Sequence, residues 1–133
     1  MGRKKQIYIT RFLYFDEDKF KSHLKKRKRY NGISTAEQYN EIIRDIILNY
    51  DKVYEIIRNR GDDQLLLVKT SNWLLIFSKI SFRISTCMKI AKRYNDVEEF
   101  LIDIKNSKKD ILTFKEVNYE DSEFRRIIKR IQR

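Results

Sequence analysis

Apolar residues recur at steps of three and four along Tyr39, Ile42, Ile43, Ile46 and Ile47. That period draws one apolar stripe down a helix, with Asn40, Glu41, Arg44 and Asp45 on its polar side. Ser34 with Glu37, and Thr35 with Gln38, both have capping-box spacing and mark where this helix starts. Upstream, residues 6–10 (QIYIT) alternate and are rich in β-branched and aromatic types, which predicts a short first strand. Asp16, Glu17 and Asp18 then open a helix that runs to about Arg29, with Asp16 as its N-cap and acids complementing the dipole. Phe20 and Leu24 are its apolar pair, and Asn31-Gly32 ends it with a left-handed cap.

The middle of the chain changes period. Residues 53–57 (VYEII), 65–69 (LLLVK), 73–78 (WLLIFS) and 80–90 read as strands separated by turns at Arg60-Gly61-Asp62-Asp63 and Thr70-Ser71-Asn72. The second of these is apolar on both faces, as a central strand should be. In the last, strict alternation puts Phe82, Ile84, Thr86, Met88 and Ile90 on one face, and Arg83, Ser85, Cys87 and Lys89 on the other. The first set would pack on helices, and the second would form an open polar face. A helix over 94–106, an edge strand over 111–117 and a final helix over 120–133 complete the series. The pattern predicts an α+β domain with a mainly antiparallel four- to five-stranded sheet and helices packed on one face. With no proline and three glycines in 133 residues, no flexible linker interrupts it.

Composition narrows the function classes. Charged residues make up 37% of the chain, and no apolar run approaches the roughly 20 residues of a membrane span. The basic start (MGRKK) is not followed by a secretory apolar core. One cysteine, Cys87, precludes an internal disulfide and fits a reducing, cytoplasmic setting. A single histidine and a single cysteine cannot supply the usual zinc ligands, so no metal or cofactor is expected. The net charge of +11 points instead to a polyanionic partner.

The chemistry then centres on a few side chains. His23, the only histidine, lies in the basic helix, where neighbouring cations would lower its pKa and suit it to general-base work. Lys26 and Arg27, inside the run KKRKR at 25–29, would contact phosphate. Arg83 on a rigid strand can hold a phosphate in bidentate fashion, Ser85 can support it, and Lys69 and Lys89 are further cations of the sheet. Each has a plainer explanation: a solvated histidine, solvated charge, an ordinary exposed sheet face. Cys87 lacks a neighbouring base and reads as structural.

The elements also carry a resemblance. QIYIT, then His23-Leu24-Lys25-Lys26-Arg27, then YNEIIRDIILNYDKVYE at 39–55, LLLVK and RISTCMKI at 83–90 together resemble phage-type barnase-EndoU-colicin-RelE-like nuclease domains. The likeness covers residues 6–93, which would be the nuclease-like core, with 94–133 a C-terminal extension of the same domain. It implies that His23 and Arg27 match the family's helix histidine and arginine, Lys69 its strand cation, and Thr86 the hydroxyl of the last strand. Lys28 stands where some relatives have a second histidine, and Cys87 and Met88 follow Thr86 where a tyrosine is frequent. Alternation prefers Ser85 to Thr86 on the open face, a one-residue disagreement that a β-bulge would remove.

The resulting expectation is a metal-independent, toxin-like endoribonuclease of a mobile element, with His23, Arg83, Ser85 and Thr86 at the catalytic site. Lys26, Arg27, Lys69 and Lys89 would bind substrate. RNA would be cut through a 2′,3′-cyclic phosphate, and an acidic antitoxin or immunity protein would be the neutralising partner. The alternatives are a non-catalytic nucleic-acid-binding phage or plasmid regulator, and a phage-encoded inhibitor of a host protein.

Overall fold

The computed structural model describes residues 5–69 and 72–133. In chain order the elements are β1 (Gln6–Tyr8), β2 (Tyr14–Asp16), α1 (Glu17–Tyr30), α2 (Ala36–Asn49), β3 (Lys52–Arg58), β4 (Gln64–Lys69), β5 (Trp73–Ser78), β6 (Ile84–Lys89), α3 (Val97–Ser107), β7 (Ile111–Glu116) and α4 (Ser122–Ile131). Strands β6-β5-β4-β3-β7 form one five-stranded sheet, and every pairing in it is antiparallel. The fold is therefore α+β, as the periodicities predict. No helix among the described residues is long and apolar enough to cross a membrane.

Local chemistry accounts for the elements. Thr35 caps α2 by accepting from the Gln38 amide at 3.1 Å, while the Gln38 side chain reaches back to the Ser34 amide at 2.7 Å. This is a capping box offset by one residue at its return bond. Asp16 stands at the N-cap of α1, but its side chain makes no capping bond. Gly32 follows the α1 C-cap at φ 70°, a conformation that favours glycine. The turn expected over Thr70-Ser71-Asn72 falls partly outside the described residues; Asn72 has φ 65°.

The two faces of the sheet carry separate cores. On the first, Val53, Leu65, Leu67, Leu75, Phe77, Ile84 and Cys87 meet Phe20 of α1, Tyr39, Ile43, Ile46 and Ile47 of α2, and Phe124, Ile127, Ile128 and Ile131 of α4. On the second, Tyr54, Ile56, Leu66, Val68 and Leu74 meet Val97, Phe100 and Leu101 of α3. Leu65 to Val68 alternate between the two cores, which is why β4 is apolar throughout and sits at the centre. Three helices share the first face, as expected. The fourth, α3, takes the second face, so that face is partly roofed rather than open. The C-terminal residues are built into the same body: β7 pairs with β3 at the edge, and α4 closes the first core.

The parity of β6 differs from strict alternation. Pairing with β5 runs Leu75↔Cys87 and Ile76↔Thr86, then skips to Phe77↔Ile84, leaving Ser85 in a bulge. Thr86 and Met88 consequently lie on the second face and Cys87 on the first, where it is fully buried. The expected inward position of Thr86 and Met88, and the outward position of Cys87, are thus corrected. The strand also begins at Ile84 rather than 80, because Phe82 has φ 63° and breaks the extended run.

Candidate functional site

A cleft of about 670 Å³ opens on the second face, beside α3. Its floor is apolar: Ile56, Leu66, Leu74, Ile76, Met88 and Phe114. These are the residues whose alternation turns them away from the first core, and α3 is too short to cover them all. Polar groups stand around the rim. Lys19 and His23 come from α1, Arg83, Ser85 and Thr86 from β6 and the turn before it, and Gln64 from the start of β4. Arg58, Asp62, Lys108 and Asp110 close the far side.

His23 reaches this rim because α1 passes over the β6 edge. One side of its imidazole meets Phe15 of the first core, with ring centroids 5.7 Å apart. On the other side, Nδ1 lies 3.4 Å from Thr86 Oγ1, at the long end of hydrogen-bond distance. Burial is the main cause that lowers the His23 pKa, to about 4, and the charges of Lys26, Arg27 and Lys19 lower it further. The expected direction holds, but burial outweighs the cations. The imidazole is neutral near pH 7, and if Nδ1 carries the hydrogen toward Thr86, Nε2 keeps a lone pair.

Arg83 is half exposed and pairs with Asp16 at 3.5 Å, a long contact for a charged pair. A bridge between Tyr14 and Arg83, and a bond from the Tyr14 amide to the Phe82 carbonyl at 3.3 Å, fix its backbone. The bulge sets Ser85 beside Thr86 on the cleft wall, so both hydroxyls face the same space. Gln64 Nε2 donates to Ser85 Oγ at 2.5 Å. Across the cleft, Arg58 bonds Asp110 at 2.6 Å and holds its carboxyl below the usual range.

The four residues expected to be catalytic, His23, Arg83, Ser85 and Thr86, therefore line one cleft. The four expected to bind substrate do not join them. Arg27 is buried, and its Nη1 donates to the Cys87 carbonyl at 3.4 Å, to which the Tyr39 hydroxyl also donates at 2.8 Å. That position makes Arg27 part of the packing between α1 and the sheet rather than a phosphate ligand. Lys69 is held by Asp45 of α2, away from the cleft. Lys26 and Lys89 are exposed; Lys26 acts on His23 through its charge. Burial raises the Cys87 thiol pKa steeply, so it is an inert core group.

Sequence reasoning missed Lys19, Arg58, Gln64 and Asp110. Lys19 was within reach, since it lies one helical turn before His23 and so on the same face. Gln64 shares the alternation of Leu66 and Val68. Arg58 and Asp110 meet only because β7 returns to pair with β3, which no local pattern encodes.

No curated protein and no solved structure matches the chain. The family model described as "Uncharacterised protein aq_aa01" matches residues 7–132, and the chain belongs to that family.

Proposed function

We propose that the protein is an endoribonuclease that cuts RNA in the cleft without needing a metal ion. The reading rests on one observation: His23, Thr86, Ser85 and Arg83, brought from α1 and β6, line a single rim beside an apolar floor. A neutral imidazole, a half-exposed guanidinium and neighbouring hydroxyls are groups that internal phosphoryl transfer uses. The 2′-hydroxyl gives its proton to Nε2 of His23, and the 2′-oxygen attacks phosphorus. The P–O5′ bond breaks, leaving a 2′,3′-cyclic phosphate; the 5′-oxygen takes a proton from water, and the hydroxide left takes the proton back from the His23 imidazolium. Arg83 and Lys19 hold the scissile phosphate and oppose the charge that builds on it. Thr86 orients the imidazole, and Ser85, itself held by Gln64, faces the sugar. The apolar floor accepts a nucleobase.

A base with a pKa of about 4 is weak. A bound phosphate beside it favours imidazolium and raises that value, so basicity increases when substrate arrives. The weak free-state basicity also favours the rival reading, a non-catalytic nucleic-acid binder. Incubation of purified protein with total RNA and EDTA separates the two. Cleavage to fragments with 2′,3′-cyclic ends is expected, and His23→Ala should slow it about 10²- to 10⁴-fold. Intact RNA, bound in a salt-sensitive way, would decide for the binder. A His23→Ala protein as fast as wild type would remove the histidine from the mechanism. An acidic antitoxin-like protein is the partner this reading calls for, because a basic ribonuclease needs neutralising where it is made.

A further inference from the structure

A second cationic surface lies outside the cleft. Helix α4 buries Phe124, Ile127, Ile128 and Ile131 and turns Arg125, Arg126, Lys129 and Arg130 to solvent, with Arg133 just beyond its end. Of the acids nearby, Glu123 pairs with Lys79, and Asp121 caps the helix by accepting from the Phe124 amide. Arg130 stands over two rings, its Cζ 5.1 Å from the Phe12 centroid and 5.9 Å from that of Phe82.

Phe82 joins this surface to the cleft. Its φ of 63° is costly for a bulky side chain and needs surrounding structure to hold it. The conformation sets the Phe82 ring under Arg130, in a groove it shares with Arg126, while the next residue, Arg83, lines the cleft. One residue step therefore separates the α4 face from the candidate catalytic rim.

We propose that an RNA strand seated in the cleft continues over the β5–β6 turn and lays its phosphates along the exposed face of α4. This rests on the cleft being an RNA site and adds that the substrate is an extended strand rather than a short fragment. The five residue steps from Arg125 to Arg130 span about 7.5 Å of helix, or roughly two stacked nucleotides at 3.4 Å each, and Arg133 carries the cationic run just past the helix end. Arginine outnumbers lysine on this face four to one, and a planar guanidinium suits repeated phosphates. The apolar residues of the helix are all in the core, so the face has nothing to insert into a bilayer.

The test compares wild type with the triple variant Arg125→Gln/Arg126→Gln/Lys129→Gln. The probe is a 2′-O-methyl RNA of about 20 nucleotides, beside a trinucleotide of the same chemistry, titrated between about 50 and 200 mM salt. These probes have no 2′-hydroxyl to attack, so binding is read whether or not the cleft cleaves. The variant should bind the long probe about tenfold or more weakly, with a salt slope shallower by about two; its trinucleotide affinity should equal that of wild type. An unchanged slope would overturn the proposal, as would displacement of the long probe by poly-glutamate as readily as by RNA. If the slope changes as expected but natural RNA stays uncut, the α4 contact stands and the cleavage reading falls.

Discussion

The two faces of the sheet solve different problems with the same strands. The first is sealed: α1, α2 and α4 cover it, and Leu13, Phe15, Tyr39, Ile43, Leu67, Leu75 and Phe77 have essentially no exposure. The second is covered by α3 alone, and what α3 leaves uncovered is the floor of the cleft. Stability is concentrated where helices are abundant, and the space for a ligand is where one helix falls short. Adjacent residues of one strand thus belong to different tasks. Leu75 fills the sealed core, while its neighbour Ile76 forms cleft floor.

This contrast can be broken most forcefully at that pair of roles. Leu75→Ala should cost about 2–5 kcal/mol in urea denaturation, because a fully buried side chain leaves a cavity the sealed face cannot refill. Under the proposed cleavage reading, activity per folded molecule should be nearly unchanged. Thr86→Val should do the reverse. Its stability should stay within about 1.5 kcal/mol of wild type, while kcat falls about tenfold and KM holds, since the imidazole loses its orienting hydroxyl. Equal behaviour of the two variants would mean that the faces do not divide the work.

Acidity sharpens the contrast more gently. The folded state holds His23 at a pKa of about 4, against the ordinary 6.5 of an unfolded chain. Between those values the unfolded chain binds a proton that the folded one refuses, so this group's contribution to stability declines as pH falls from about 6.5 to about 4 and is constant above that window. Chemical denaturation at a series of pH values, compared with His23→Gln, isolates it. If the cleft cleaves RNA as proposed, kcat/KM should for the same reason rise with pH through about 4 and then level off. The smallest effect concerns Arg27. Arg27→Met removes one of the charges that disfavour imidazolium, so the His23 titration followed by NMR should move upward, with burial still holding it below 6.5.

Much of this is legible in the sequence alone. Helix α2 was legible because its apolar stripe and its cap agree, and β4 because its unbroken apolar run requires cover on both sides. His23, Arg83, Ser85 and Thr86 are each legible as candidates, but alternation points to Ser85 and the resemblance to Thr86, and the bulge sets both side by side. What stayed hidden has physical causes. An amphipathic helix announces that it has a buried face but not which side of a sheet will receive it, so α3 could not be placed. Strand β2 is three residues long and too brief to show a period. Arg27 sits within five consecutive cations, and charge alone does not reveal that one of them is folded inward to a carbonyl.

The bulge at Ser85 has one more consequence, which concerns what the strand would lose without it. With Ser85 excised, Ile84 would still oppose Phe77, and Thr86 would still oppose Ile76, in unbroken register. Every remaining side chain would keep its present side. The serine is therefore one residue in excess of an otherwise regular strand, and its removal would subtract a single hydroxyl, and the partner of Gln64, from the cleft wall. A one-residue deletion in a regular strand turns the rest of it inside out; here a wall residue can be removed without disturbing the scaffold beneath it.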